Sequence, residues 1–237
     1  MSFPTILTLG DSLTEQSFSP HLSGSSIHLQ HAYTRRASLL NCGLSGYTST
    51  WLLPFFTRVI TSHLTGALLW IVMLGTNDCV LPGYVHHVPL ETFRENLEGV
   101  IGTIMAQAEG MVLVVTPPPI DMGMLKDRGP RGGRDRSTEA NERYAGVARE
   151  VGRKWERRDA RVAVCDFWTM MESLAVDVEE GKGGYRFAEY MTDGLHLSAG
   201  GYKVLFEGIM GVVEERWPEI TPARLPLLVG LISHDPG

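Results

Sequence analysis

The sequence has little cysteine: Cys42, Cys79 and Cys165 are its only three in 237 residues. An odd, sparse set, each next to an expected strand end, does not make a disulfide framework, so reduced thiols are expected. Long apolar runs are also missing. The longest near the C-terminus, Leu225 to Ile232, contains Pro226 and Gly230 and falls far short of the ~20 residues that a membrane helix needs. Positive charge is not in excess either, since 21 Lys and Arg face 27 Asp and Glu for a net charge of -6. That balance offers no electrostatic case for binding nucleic acid or anionic membranes. The N-terminus runs from Met1 through Pro4 straight into Thr5–Leu9, without a basic n-region, a long apolar h-region or a small-residue cleavage site. An intracellular, cytoplasmic protein is the expectation. No Gly-x-Ser-x-Gly elbow occurs. His86 and His87 are adjacent, so they point apart, and no Cys or carboxylate set accompanies them; no metal and no organic cofactor are expected.

What is present is ordinary globular composition, 43% hydrophobic and 20% charged, enough for one sizeable α/β domain over residues 1–237. Short apolar runs alternate with amphipathic stretches, the pattern of parallel strands joined by crossover helices. Strands are predicted at Thr5–Leu9, Ser38–Asn41, Leu68–Leu74, Met111–Thr116 and Arg161–Asp166. Leu68–Leu74 is apolar throughout, as a central strand covered on both faces must be. Helices are predicted around Thr50–His63, Leu90–Ala108, Thr138–Arg157 and Ala199–Trp217. In the last, Tyr202, Leu205, Phe206, Ile209, Met210, Val213 and Trp217 recur at intervals of three and four and make one apolar face. Two stretches read as long loops, Glu15 to about Ile27 and Pro117 to about Ser137. The second carries Lys126, Arg128, Arg131, Arg134 and Arg136, read as a solvated, mobile basic cluster, with capture of an anionic substrate group as the sharper alternative.

Four short motifs carry chemistry. Gly10-Asp11-Ser12-Leu13-Thr14 follows the first strand directly, which places Ser12 on the strand-to-helix turn at the carboxyl end of the sheet, where ligands of open α/β sheets bind. Alone it is a weak signal, because Asp and Ser are common helix caps. Asp193-Gly194-Leu195-His196 precedes the last helix. A serine hydroxyl needs a base, and an imidazole needs a carboxylate to hold its tautomer; Asp193 and His196 supply both from one loop. Gly43-Leu44-Ser45-Gly46-Tyr47 and Gly75-Thr76-Asn77-Asp78 follow the second and third strands. Gly46 can offer an unobstructed backbone N–H and Asn77 a side-chain amide to a developing oxyanion. Each alone is more often a turn. Ser45 is a rival nucleophile that ranks well below Ser12. With strand order 2-1-3-4-5, Ser12, Gly46 and Asn77 converge at the switch point.

These residues resemble the SGNH, or GDSL-type, hydrolase family, with Ser12, Gly46, Asn77 and the Asp193/His196 pair matching its blocks in order over roughly Thr5 to Trp217. Gly10–Glu15, Ala32-Tyr33, Leu44–Thr48 with Trp51, Val88–Leu90, Thr116–Pro119 and Asp193–Ser198 look like its eukaryotic isoamyl-acetate-hydrolysing esterase branch. The resemblance implies a three-layer α/β/α sandwich with a five-stranded parallel sheet. It also implies an oxyanion hole formed by the backbone N–H groups of Ser12 and Gly46 and the side chain of Asn77. Ser23–His31 departs from the branch in lacking a Trp, and the basic loop is a second departure.

The expected activity is hydrolysis of small or short-chain carboxylic esters through Ser12, His196 and Asp193 and an acyl-enzyme. The alternatives are an acyltransferase or thioesterase using the same three residues, or a non-catalytic binding domain that keeps the fold. The expected partner is a small-molecule ester, with no nucleic acid and no membrane insertion; a homodimer is left open.

Overall fold

A computed structural model describes residues 4–62, 66–129, 132–177 and 184–228. His63, Arg131, His234 and residues 229–232 of the C-terminal apolar run lie outside the described residues.

The strands are β1 (Thr5–Gly10), β2 (Ser38–Gly43), β3 (Ala67–Met73), β4 (Met111–Val115) and β5 (Val162–Cys165). The helices are α1 (Ser12–Glu15), α2 (Ser25–Ala32), α3 (Ser49–Ser62), α4 (Leu90–Gln107), α5 (Met122–Asp127), α6 (Thr138–Glu156), α7 (Phe167–Glu172) and α8 (Ala199–Arg216). All five strands pair in parallel in the order β2-β1-β3-β4-β5, as expected.

Alternation along the central strands sorts side chains to two apolar layers. Leu7, Leu9, Trp70, Val72, Val112 and Val114 pack under α3, α4 and α6. Ile6, Leu69, Ile71, Met73, Leu113 and Val115 pack under α2, α7 and α8. Helices on both faces of a parallel sheet are the three-layer sandwich. The expected stripe of α8 buries Tyr202, Leu205, Ile209, Val213 and Trp217, while Phe206 and Met210 are half-buried. Ser198 caps this helix, its hydroxyl accepting from Gly201 N.

Both expected long loops contain helices. Within Glu15–Ile27, α2 begins at Ser25. It has no apolar stripe to announce it: Ser25 and Ser26 are buried, and the Ser26 hydroxyl bonds that of Ser17 at 2.5 Å. Within Pro117–Ser137, Asp121 starts α5 by accepting from Gly123 N and Met124 N. The short α7, capped by Asp166, was not anticipated. The three cysteines are free and buried. Burial pushes the Cys42 and Cys79 thiols up to about 11 and Cys165 to about 12, which removes their thiolate reactivity.

Gly10 pairs with Gly43 on one side and Met73 on the other, and Met73 pairs with Val115. The loops that follow β1, β2, β3 and β4 therefore leave the sheet at one level and one end.

Candidate active site

The turn after β1 is held by its own carboxylate. Asp11 Oδ1 accepts from Leu13 N at 3.0 Å, which starts α1 at Ser12 and leaves Ser12 only 7% exposed. Tyr202 of α8 donates its hydroxyl to Leu13 O at 2.8 Å and pins the same turn from above.

Ser12 Oγ lies 3.1 Å from His196 Nε2, and His196 Nδ1 lies 2.9 Å from Asp193 Oδ2. A carboxylate beside Nδ1 fixes the proton on that nitrogen and leaves Nε2 as the acceptor facing the hydroxyl. Asp193 also accepts from Leu195 N at 3.0 Å and His196 N at 2.8 Å, so the carboxylate organises the loop that carries its own partner. Burial pushes the Asp193 carboxyl up, but the bonds from the His196 ring and from the two backbone N–H groups outweigh it. They hold the group well below the usual carboxylate range.

Gly194 makes this loop possible. Its φ is +86°, and an added Cβ would lie 2.5 Å from Asp121 O and 2.8 Å from Leu125 N. Gly194 O accepts from Asp121 N at 2.9 Å, while Asp121 Oδ2 accepts from Phe187 N at 3.0 Å. The histidine loop is thus fastened to the segment after β4. His196 O is held in turn by Thr192, through its N–H at 2.8 Å and its hydroxyl at 3.2 Å.

In the turn after β3, Asn77 Nδ2 donates to Tyr47 O at 2.9 Å, which sets the orientation of the amide because a carbonyl can only accept. Among the described residues its second N–H has no partner, nor does the backbone N–H of Gly46. Gly46 has φ +78°, a left-handed conformation suited to glycine. The structure therefore brings together Ser12, His196 and Asp193 as one hydrogen-bonded chain, and ties the Gly46 turn to Asn77 through Tyr47.

Four residues near this arrangement were not singled out as its parts from the sequence. Asp121 anchors the histidine loop. Arg128 Nη1 lies 3.3 Å from Asp193 Oδ2. Arg136, expected to be solvated, is buried and donates to Thr76 O and, at 3.7 Å, to Cys79 Sγ. Asp78 is fully buried and accepts from Ser49 N at 2.9 and 3.1 Å. Lys126 and Arg134 are exposed, as the basic cluster was expected to be. Burial raises the Asp78 carboxyl to about 6, against the Ser49 hydrogen bonds. Burial likewise raises Asp11 to about 6, with repulsion from Asp78 adding to it and the Leu13 N–H, Arg136 and His196 opposing it. Two buried acids, Asp11 and Asp78, thus lie under the Ser12 and Asn77 turns, and the buried Arg136 is a counter-charge to Asp11. No sequence period signals this, since the residues come from three loops.

His86 and His87 face different groups: His87 Nδ1 donates to Val80 O at 2.6 Å, and His86 lies against Trp51 at 5.1 Å between ring centres. Among the described residues no cluster of three or more His, Cys, Asp or Glu side chains could hold a metal ion. No described helix is long and apolar enough to cross a membrane.

A parallel α/β sandwich with this constellation at its switch point defines a class of carboxylic ester hydrolases. The chain belongs to the GDSL-like lipase/acylhydrolase family, whose model matches residues 8–204. An isoamyl acetate-hydrolyzing esterase 1 homolog of Bos taurus is 28% identical over 251 residues, covering 98% of this chain and 94% of its own length. The isoamyl acetate-hydrolyzing esterase of Schizosaccharomyces pombe is 28% identical over 226 residues, covering 95% of this chain and 81% of its own. Among solved structures, the lipase/acylhydrolase from Enterococcus faecalis superposes with a TM-score of 0.66 at 24% identity, covering 96% of this chain and all of that one, which bears on the fold. Both the family and the esterase branch expected from the motifs are borne out.

Proposed function

We propose that the protein hydrolyses small or short-chain carboxylic esters by double displacement, with Ser12 as nucleophile, His196 as base and acid, and Asp193 as the carboxylate that orients it. The observation that carries this reading is the chain Asp193 Oδ2, His196 Nδ1, His196 Nε2, Ser12 Oγ, with contacts of 2.9 and 3.1 Å. Both lie within the range in which a base can take a hydroxyl proton.

His196 Nε2 takes the proton of Ser12 as Oγ attacks the ester carbonyl. The charge that develops on the carbonyl oxygen is stabilised by the N–H groups of Ser12 and Gly46 and the free N–H of Asn77. His196 then gives the proton to the departing alcohol oxygen, leaving an acyl group on Ser12. Water, deprotonated by His196, releases the acid and restores Ser12. The low-lying carboxyl of Asp193 stays ionised throughout and stabilises the imidazolium that forms twice per cycle.

Short esters are favoured as substrates because curated relatives of this chain are named for isoamyl acetate. A panel of p-nitrophenyl esters of increasing acyl length tests the reading, together with labelling by a fluorophosphonate. We expect hydrolysis that is greatest among short chains and labelling that disappears in Ser12→Ala. Normal turnover by a folded Ser12→Ala protein would refute it.

A further inference from the structure

Six large apolar side chains stand out as exposed among the described residues, and four of them, Tyr47, Trp51, Tyr84 and Val85, fall in the segments just after β2 and β3. They are not scattered. Tyr47 meets Trp51 edge-on at 6.3 Å between ring centres, and Trp51 meets His86 at 5.1 Å. A contiguous aromatic surface left open to water marks a binding site more often than a lone exposed ring does.

This surface is built onto the Asn77 and Gly46 turns themselves. Tyr47 O is the acceptor that orients Asn77. A Cβ added to Gly46 would lie 4.0 Å from His86 Nε2, so the imidazole stands over that turn. An ester carbonyl seated on Ser12 would have one of its two arms beside these rings.

Which arm follows from the tetrahedral geometry and rests on the proposed role of Ser12. Of the four groups on the reacting carbon, one is Ser12 Oγ and one is the oxyanion. The leaving oxygen must face His196 Nε2, because that atom protonates it. His196 arrives on the loop fastened to Asp121 and Leu125 after β4. The alcohol therefore departs on the β4 side, and the remaining group, the acyl chain, is directed to the β2 side. The geometry points to Tyr47, Trp51 and His86 as an open aromatic shelf that binds the apolar acyl chain of the ester, with the alcohol accommodated on the opposite, charged side.

A fully buried methylene is worth roughly a fourfold gain in affinity, and a shelf that covers one face of the chain yields about half of that free energy, close to twofold per methylene. The test compares two homologous series on the full chain. One varies the acyl group (p-nitrophenyl acetate, butyrate and hexanoate) and the other the alcohol (methyl, butyl and hexyl acetate). We expect kcat/KM to rise about twofold per acyl methylene over the first carbons in the wild type. Trp51→Ala should flatten that slope and Trp51→Phe should restore part of it, with the alcohol series keeping its slope in both variants. Fluorophosphonate labelling of Trp51→Ala reports that Ser12 is intact and the fold retained. A flattened alcohol slope with an unchanged acyl slope would overturn the placement of the two arms. Unchanged slopes in both series overturn the shelf, and so does loss of binding to phosphatidylcholine vesicles as the sole defect of Trp51→Ala. Failure of the wild type itself to label overturns the role of Ser12 instead.

Discussion

The two flanks of Ser12 are built from opposite chemistry. On the β4 side stand Asp121, which holds Gly194 at 2.9 Å, and Asp193, joined to His196 by hydrogen bonds and to Arg128 by an ion pair at distances between 2.8 and 3.3 Å. On the β2 side stand Tyr47 and Trp51, open to solvent, and the half-buried His86, joined by ring contacts. Hydrogen bonds and ion pairs fix atoms to a few tenths of an ångström, which proton transfer requires. Ring packing is non-directional and tolerates ligands of different length. Under the proposed chemistry the contrast separates a flank that moves a proton from a flank that chooses a substrate.

The largest effect that can break this comparison is loss of the proton chain. Ser12→Ala and His196→Ala should each lower kcat by about 10⁴-fold or more while the unfolding temperature hardly moves. Steady-state rates and a thermal melt on the same preparations decide it, and near-normal turnover by either variant would end the assignment of that flank to catalysis. Next comes Asn77→Ala. Removing one oxyanion donor costs about 10²–10³ in kcat with little change in KM. A defect confined to KM would instead move Asn77 to the substrate-selecting side.

Between the flanks, the buried pair Asp11 and Asp78 gives a stability signal. The Asp78 carboxyl stands near 6 when folded and near 3.8 when unfolded, so its stabilising contribution is fully present below about 3.8 and is lost as pH rises through about 6. Asp78→Asn keeps an acceptor for Ser49 N and removes the ionisation. Its stability relative to the wild type should therefore improve between pH 4 and pH 7, by an amount on the order of 2–3 kcal/mol. Urea unfolding at the two pH values measures this, and a gap that stays constant would mean that Asp78 titrates alike in both states.

The smallest effect concerns Arg128. His196 is faced by Ser12, by Asp193 and, through its charge, by Asp11, and the Arg128 guanidinium touches Asp193 from solvent. That positive charge weakens the hold of Asp193 on an imidazolium. In Arg128→Gln the acid limb of the kcat/KM profile should move to higher pH by a few tenths of a unit, as befits a half-exposed pair. A shift to lower pH would show that Arg128 mainly positions Asp193.

Much of this was legible beforehand. The five strands and the four motif positions each rest on local signals: an apolar run, a turn glycine, a cap, a histidine three residues from a carboxylate. The elements that escaped lack such a signal. Helix α2 buries Ser25 and Ser26, and Ser26 is held by a bond to Ser17 rather than placed by apolar spacing. Helices α5 and α7 are six residues each, too short to show a period. Arg136 reads as one more basic residue in a solvated loop until Thr76 O and the buried Asp11 give it a reason to be inside.

By itself, then, the amino-acid sequence determined the layered parallel fold, the family and the residue types available for acyl transfer, because these follow from patterns that a few neighbouring residues carry. Only the tertiary structure decided that Ser12 and His196, 184 positions apart, meet at 3.1 Å, and that the serine has a charged flank and an aromatic one. Contacts across such separations depend on how whole elements pack, and no local period encodes them.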